Sequence, residues 1–347
     1  MKILIIGGTR FLGRFITREA QRRGHEITLF HRGRANPGLF PDVENILGDR
    51  VEAIGLLGDR RWDSVIDTCG FVPWAVAPSV RYLKNRTEHY VFVSSISVYA
   101  DFSRIGIDES SPVDTLPEKK VEELEREGYG PYGEHYGAMK ALCERLIDRE
   151  MPGRALHVRS GLIVGPHDYM DRFPYWIHRV ARGGEILAPG HPGQPVQWID
   201  VRDLANWILD MAERRQTGVM NVTGPETPLT MGHILEECRR IAGSEAEFTW
   251  VDEEFLLERQ VQPWTELPLW LPVNRGLSDG EKPPVGFFRV NIDRALQTGL
   301  SFRPLSETIS DTLQWLNAEN KDAFIAGLIP EKERRLLSEW NEKKARS

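Results

Sequence analysis

The first fifteen residues, MKILIIGGTRFLGRF, hold a short apolar run that breaks on two glycines and resumes with helical spacing. An apolar run this short, ended by glycine, reads as a strand buried on both faces that turns into a helix. The N-terminus of such a helix presents backbone N–H groups and a positive dipole end, which suit a pyrophosphate. The dinucleotide template G-x-G-x-x-G, laid on Gly8, Arg10 and Gly13, finds an arginine at its middle glycine. Gly7, Gly8, Thr9, Arg10, Phe11, Leu12 and Gly13 are the residues expected to cradle the cofactor phosphates.

Strand and helix patterns alternate after this turn. Strands are expected at EITLF (26–30), VENIL (43–47), SVIDTC (64–69), HYVFVSS (89–95) and RALHVRSG (154–161), and a long helix over 135–150. The alternation predicts an α/β fold, a doubly wound parallel sheet of Rossmann type with right-handed crossovers and a smaller C-terminal substrate-binding lobe. The nucleotide-binding core is expected over 1–165 plus about 195–224. The lobe takes about 166–194 and 225–330. The polar stretch 101–131 interrupts the rhythm and reads as a long functional loop.

Bulk properties narrow the partners. A net charge of −7 argues against a general nucleic-acid binder. No apolar run is long enough for a transmembrane helix, and the N-terminal apolar stretch is expected to be a strand rather than a signal peptide. Three cysteines, Cys69, Cys143 and Cys238, show neither metal-ligand spacing nor a disulfide framework, so no metal is expected and a reducing cytoplasm fits.

The second strand runs into His31, Arg32, Gly33 and Arg34. A carboxylate at this point would accept from the ribose 2′-OH of NAD. Cations there suit the 2′-phosphate of NADP instead, so NADP is expected, with NAD as the alternative. His31 and Arg32 are the candidate ligands, and Arg10 closes a clamp with Arg32. Asp49, after the third strand, either accepts from the adenine amino group or closes a turn.

YGAMK places Tyr136 and Lys140 one turn apart on a single helical face. A nearby ammonium stabilises a phenolate and brings tyrosine toward its working range as an acid or base. The preceding strand ends in VSSISVY, where Ser95 can hydrogen-bond a substrate oxygen.

GGTRFLG, VFVSSISVY and YGAMK together resemble the extended short-chain dehydrogenase/reductase superfamily, often labelled NAD-dependent epimerase/dehydratase. VRSGLIVGP (158–166), WIDVRDLA (198–205) and the segment NIDRALQTGLSFRPLSETISDTLQW extend the resemblance over nearly the whole chain. It implies that Ser95, Tyr136 and Lys140 are the catalytic serine, tyrosine and lysine, and that Lys140 holds the nicotinamide ribose. It places Gly7, Gly13, Asp49 and Ser94 on the cofactor side, and implies a homodimer packed through the tyrosine helix. The chain departs from the family pattern at Arg10, and at Ile96 and Ser97, where sugar dehydratases carry Asp-Glu. It departs again at Val196 and Lys282, where nucleotide-sugar enzymes place arginines on a diphosphate.

The expected activity is NAD(P)-dependent hydride transfer to or from a secondary alcohol or ketone, on a small polar substrate. A sugar epimerase is the alternative within enzymes. A non-catalytic relative that senses cofactor or associates with RNA is the alternative outside them. Ser97, His167 and Arg172 are the candidate substrate contacts, with Asp168 beside them in GPHDYMDRF.

Overall fold

The computed structural model describes residues 1–130, 133–276 and 280–346. Seven strands form one parallel sheet: β1 (Lys2–Ile6), β2 (Glu26–His31), β3 (Glu44–Leu47), β4 (Trp62–Asp67), β5 (Thr87–Ser95), β6 (Ala155–Ser160) and β7 (Gly218–Val222). Their order is β7-β6-β5-β4-β1-β2-β3. The order reverses beside β1, and in open α/β sheets ligands bind at that switch point, outside the carboxyl ends of the strands.

Side-chain alternation along the strands builds two layers. Ile3 and Ile5 face α1 (Leu12–Arg22), packing with Phe15 and Ile16. Leu4 and Ile6 face the opposite way, into a cluster with Val76 and Val80 of α2 (Pro73–Leu83). Two more helices follow in the chain, α3 (Glu118–Glu127) and α4 (Tyr136–Glu150). α4 packs beside α2 and adds Cys143, Leu146 and Ile147 to the second layer. Further on come α5 (Arg172–Ala181) and α6 (Val201–Glu213), and α6 packs against α1. Period-two burial on both faces is what an all-parallel sheet covered by helices requires.

A second core holds Phe173, Trp176, Trp198, Ile234, Phe255 and Trp270. It is framed by short strand pairs, Gly184–Pro189 with Ala246–Val251 and Pro195–Val196 with Leu229–Thr230. Leu336, Leu337 and Trp340 of the helix Pro330–Arg346 are buried in it, so this core reaches past residue 330.

The stretch 101–131 differs from the expected plain loop, because it contains α3. Leu124 is the buried residue of that helix, and the rest of EKKVEELERE is half-buried or exposed. The stretch is also tied to the sheet edge, where Glu109 accepts from the Asn221 N–H at 2.8 Å. Among the described residues no helix is long and apolar enough to cross a membrane.

Candidate active site

The glycine turn has backbone geometry that side chains oppose. Gly7 and Gly8 have φ of +108° and +91°, values that favour glycine. A Cβ on Gly13 would lie 2.6 Å from the Gly8 nitrogen and 2.8 Å from its Cα, so the first turn of α1 rests directly on the loop backbone. Thr9, Phe11 and Leu12 are buried, and the Thr9 carbonyl accepts from Asn36 at 3.0 Å. These residues fit a dinucleotide, whose pyrophosphate would meet the N–H groups at the start of α1. Arg10 is exposed and turns away from the glycines, its guanidinium 3.5 Å from the centre of the Tyr169 ring.

At the adenosine end the structure redistributes the expected roles. His31 is buried, its Nδ1 accepts from the Gly33 N–H at 3.1 Å, and its Nε2 meets the Asn45 Oδ1 at 2.9 Å. Both ring nitrogens are thus engaged in shaping the turn, which corrects the expectation that His31 faces a phosphate. Arg32 is exposed at the turn that follows β2. Asp49 takes the turn role, its Oδ1 accepting from the Val51 N–H at 2.9 Å. Ser94 is buried and donates to Glu144 Oε1 at 2.5 Å, within a network that Arg159 completes. Its hydroxyl serves the packing of α4 on the sheet rather than the cofactor side.

Ser95 and Tyr136 do come together. Ser95 ends β5, accepts from the Ser97 N–H at 3.1 Å, and lies 3.1 Å from the Ser97 hydroxyl. Tyr136 opens α4 with its phenol beside the Ser95 side chain. The approach of α4 is set by Gly137, where a Cβ would stand 1.9 Å from the Ser97 carbonyl oxygen. Burial pushes the Tyr136 phenol up to about 12, opposed by the neighbouring Ser95 hydroxyl and the charge of Arg172.

Lys140 behaves differently from the expectation. Its Nζ donates to the carbonyls of Gly70 and Val93, each at 2.6 Å, and lies 4.1 Å from the centre of the Phe92 ring. Burial lowers this ammonium to about 8. The two carbonyls hold the ammonium in the core, and the cation whose charge opposes the rise of the Tyr136 phenol is Arg172.

The segment after β6 supplies the remaining groups. His167 adopts φ +66°, and its Nδ1 pairs with Arg14 at 3.2 Å while its ring lies 5.2 Å from that of Trp315. Burial and Arg14 lower it to about 4, and this environment ties it to α1 rather than to the Tyr136 phenol. Asp168 is 2% exposed and accepts from the Met170 N–H at 2.8 Å, and burial pushes its carboxyl up to about 7. Arg172 lies with its guanidinium 4.6 Å from the centre of the Trp264 ring, close enough to both Tyr136 and Asp168 to favour their charged forms. Tyr169 and Trp264 are contacts that spacing could not reveal, because each acts through a tertiary stack. Val196 is buried in its strand pair with Leu229.

The model of the NAD dependent epimerase/dehydratase family matches residues 3–223. Among curated relatives, the chloroplast stem-loop binding protein of 41 kDa b of Arabidopsis thaliana is 28% identical over 260 residues. That match covers 70% of this chain and 63% of the relative, less than two thirds of its length. The epimerase family protein SDR39U1 of Homo sapiens is 25% identical over 245 residues, covering 65% of this chain and 76% of the relative. UDP-glucuronic acid 4-epimerase from Bacillus cereus in complex with NAD superposes with a TM-score of 0.65 at 15% identity, over 92% of this chain and 100% of that one. Bordetella bronchiseptica WbmH in complex with NAD+ gives a TM-score of 0.65 at 14% identity, over 91% and 98% of the two chains. At these identities the superpositions speak for the fold alone.

Proposed function

Because the chain belongs to the NAD dependent epimerase/dehydratase family, we propose that it is an NADP(H)-preferring oxidoreductase acting on a secondary alcohol or ketone. The observation that carries this reading is the placement of Tyr136, at the start of α4, beside Ser95 at the carboxyl end of β5, with Gly137 packed on the Ser97 carbonyl. When bound, the nicotinamide supplies or accepts the hydride. Tyr136 transfers the proton at the substrate oxygen, and Ser95 holds that oxygen in place. The raised phenol keeps its proton at neutral pH, the form needed to protonate a carbonyl oxygen as it is reduced. Ser97 extends the hydroxyl pair.

The preference for NADP rests on the end of β2, where Arg32 stands and no carboxylate does. Transient oxidation with return of the hydride, as in an epimerase, uses the same residues and is the second reading that family membership favours. A nucleotide-sugar substrate is disfavoured by Val196, since a buried diphosphate needs charge-assisted partners. A C2 homodimer through α4 and its neighbour α2 is part of the proposal, and light scattering at micromolar concentration tests it, a monomer mass rejecting it.

The deciding experiment screens ketones and alcohols by NADPH absorbance, comparing wild type with Tyr136→Phe. Loss of the exchangeable proton should slow turnover by about 10²–10⁴-fold. A wild-type rate in the variant rejects the assignment. Inverted product with no net change in NADPH selects the epimerase reading.

A further inference from the structure

The glycine turn is gripped from two sides. Asn36, beyond β2, donates to the Thr9 carbonyl at 3.0 Å. Tyr169, in the segment that leads into α5, meets the next two residues of the turn. The Arg10 guanidinium lies 3.5 Å from the centre of the Tyr169 ring, and the Phe11 ring stands edge-on to it at 6.1 Å between centres. Phe11 has φ +39°, a left-handed backbone that bulky side chains rarely adopt, so the packing around its ring holds the turn in a strained form. A guanidinium this close to a ring centre presents its face to the ring. Its N–H groups then lie in the plane at the edge, as a fork that matches a phosphate. Arg10 is exposed, and among the described residues no carboxylate or carbonyl takes up that fork.

From this arrangement we propose that Arg10 and Tyr169 form a clasp on the cofactor: the edge of the guanidinium binds the pyrophosphate of the dinucleotide while its face stays on the Tyr169 ring. This rests on the dinucleotide reading above and adds a retaining pair to it. Arg10 belongs to the turn from which α1 starts, where backbone N–H groups suit the same pyrophosphate. The first turn of α1 carries no acidic residue to compete for the guanidinium. Tyr169 stands three residues ahead of α5, whose Phe173 and Trp176 lie in the second core. The stack therefore joins the phosphate loop of the sheet to the first helix of the lobe. It also holds a long side chain in one geometry, which reduces the entropy lost when the phosphate binds. The dinucleotide leaves only when the stack opens, so the clasp acts on the dissociation rate.

The test uses the full chain and follows release of NADPH and of NADH by stopped-flow fluorescence. Wild type is compared with Arg10→Gln, Tyr169→Leu, Tyr169→Phe and the double variant Arg10→Gln, Tyr169→Leu. Both cofactors carry the pyrophosphate, so Arg10→Gln should release both about 10–100-fold faster, from one lost charge-assisted contact. Tyr169→Leu removes the stack but not the cation, and should speed release of both by about 3–30-fold. Tyr169→Phe keeps the ring and should keep the wild-type rates. The double variant should release no faster than Arg10→Gln alone, because the ring acts through the arginine. Unchanged rates in Arg10→Gln or in Tyr169→Leu overturn the inference and leave the cofactor reading intact. Faster release of NADPH alone assigns Arg10 to the 2′-phosphate and overturns the clasp, as do additive effects in the double variant. A wild-type chain that binds neither cofactor overturns the clasp and the cofactor reading together. Should Tyr169→Leu not fold, Arg10→Gln, at an exposed position, decides by itself.

Discussion

Lys140 Nζ donates to the carbonyl oxygen of Gly70 at 2.6 Å, tying the helix that carries Tyr136 to the loop that leaves β4. A second bond, to Val93, joins the same ammonium to the strand that ends in Ser95. One buried cation thus fixes three segments of the site.

Removing it should loosen all three. Lys140→Met leaves two carbonyls without their charged donor, offset in part by relief from burying an ammonium. A net loss of about 1–3 kcal/mol is expected, with an NADPH affinity at least ~10-fold lower if the ammonium also serves the ribose. Chemical denaturation and calorimetry read the two effects. An unchanged midpoint would show that the carbonyl contacts contribute nothing.

Gly13→Ala should weaken NADPH binding by about tenfold or more, because its Cβ would meet the Gly8 backbone at 2.6 Å and no flexible side chain can give way. Gly38→Ala is the control, since a Cβ there has nothing within 4 Å. Equal affinities in the two variants would reject the loop as the phosphate cradle.

NADPH should bind more tightly than NADH, and the joint change Arg10→Ala, Arg32→Ala should abolish the difference. Each lost charge-assisted bond costs roughly 1.5–3 kcal/mol. Fluorescence titration of both cofactors decides. Tighter NADH binding in wild type sinks the clamp.

Asp168 gives a pH signature of known sign. Burial raises its carboxyl to about 7 from an ordinary 3.8, so between those values the folded chain keeps a proton that the unfolded chain releases. That contribution to stability is complete below pH 3.8 and is lost as pH rises through about 7. Asp168→Asn cannot lose the proton. Its Tm relative to wild type should therefore climb between about pH 4 and 7 and level off above. A flat difference across that range removes the argument.

The double-layered sheet was legible in the sequence because Ile3, Leu4, Ile5 and Ile6 are all apolar, which only burial on both faces explains. The shared helical face of Tyr136 and Lys140 was legible from spacing. The destination of the ammonium was not, since Gly70 and Val93 are 70 and 47 residues distant and their carbonyls carry no sequence signature. His31 misled for a related reason. Its cationic neighbours suggested a phosphate ligand, whereas the turn it shapes with Gly33 and Asn45 depends on strand pairing. Tyr169 and Trp264 sit in irregular segments, where periodicity gives no direction to a side chain.

Gly137 meets the Ser97 carbonyl main chain against main chain, so the absence of a side chain there sets how near α4 comes to the end of β5. Side-chain packing joins the same two elements a second time, because Ile96 and Val98 share an apolar cluster with Ala141 of α4, against which Phe287 packs. The two contacts differ in what a substitution can do to them: the main-chain one is indifferent to the side chain at position 97, whereas a change at Phe287 is felt at the end of β5 and at α4 together.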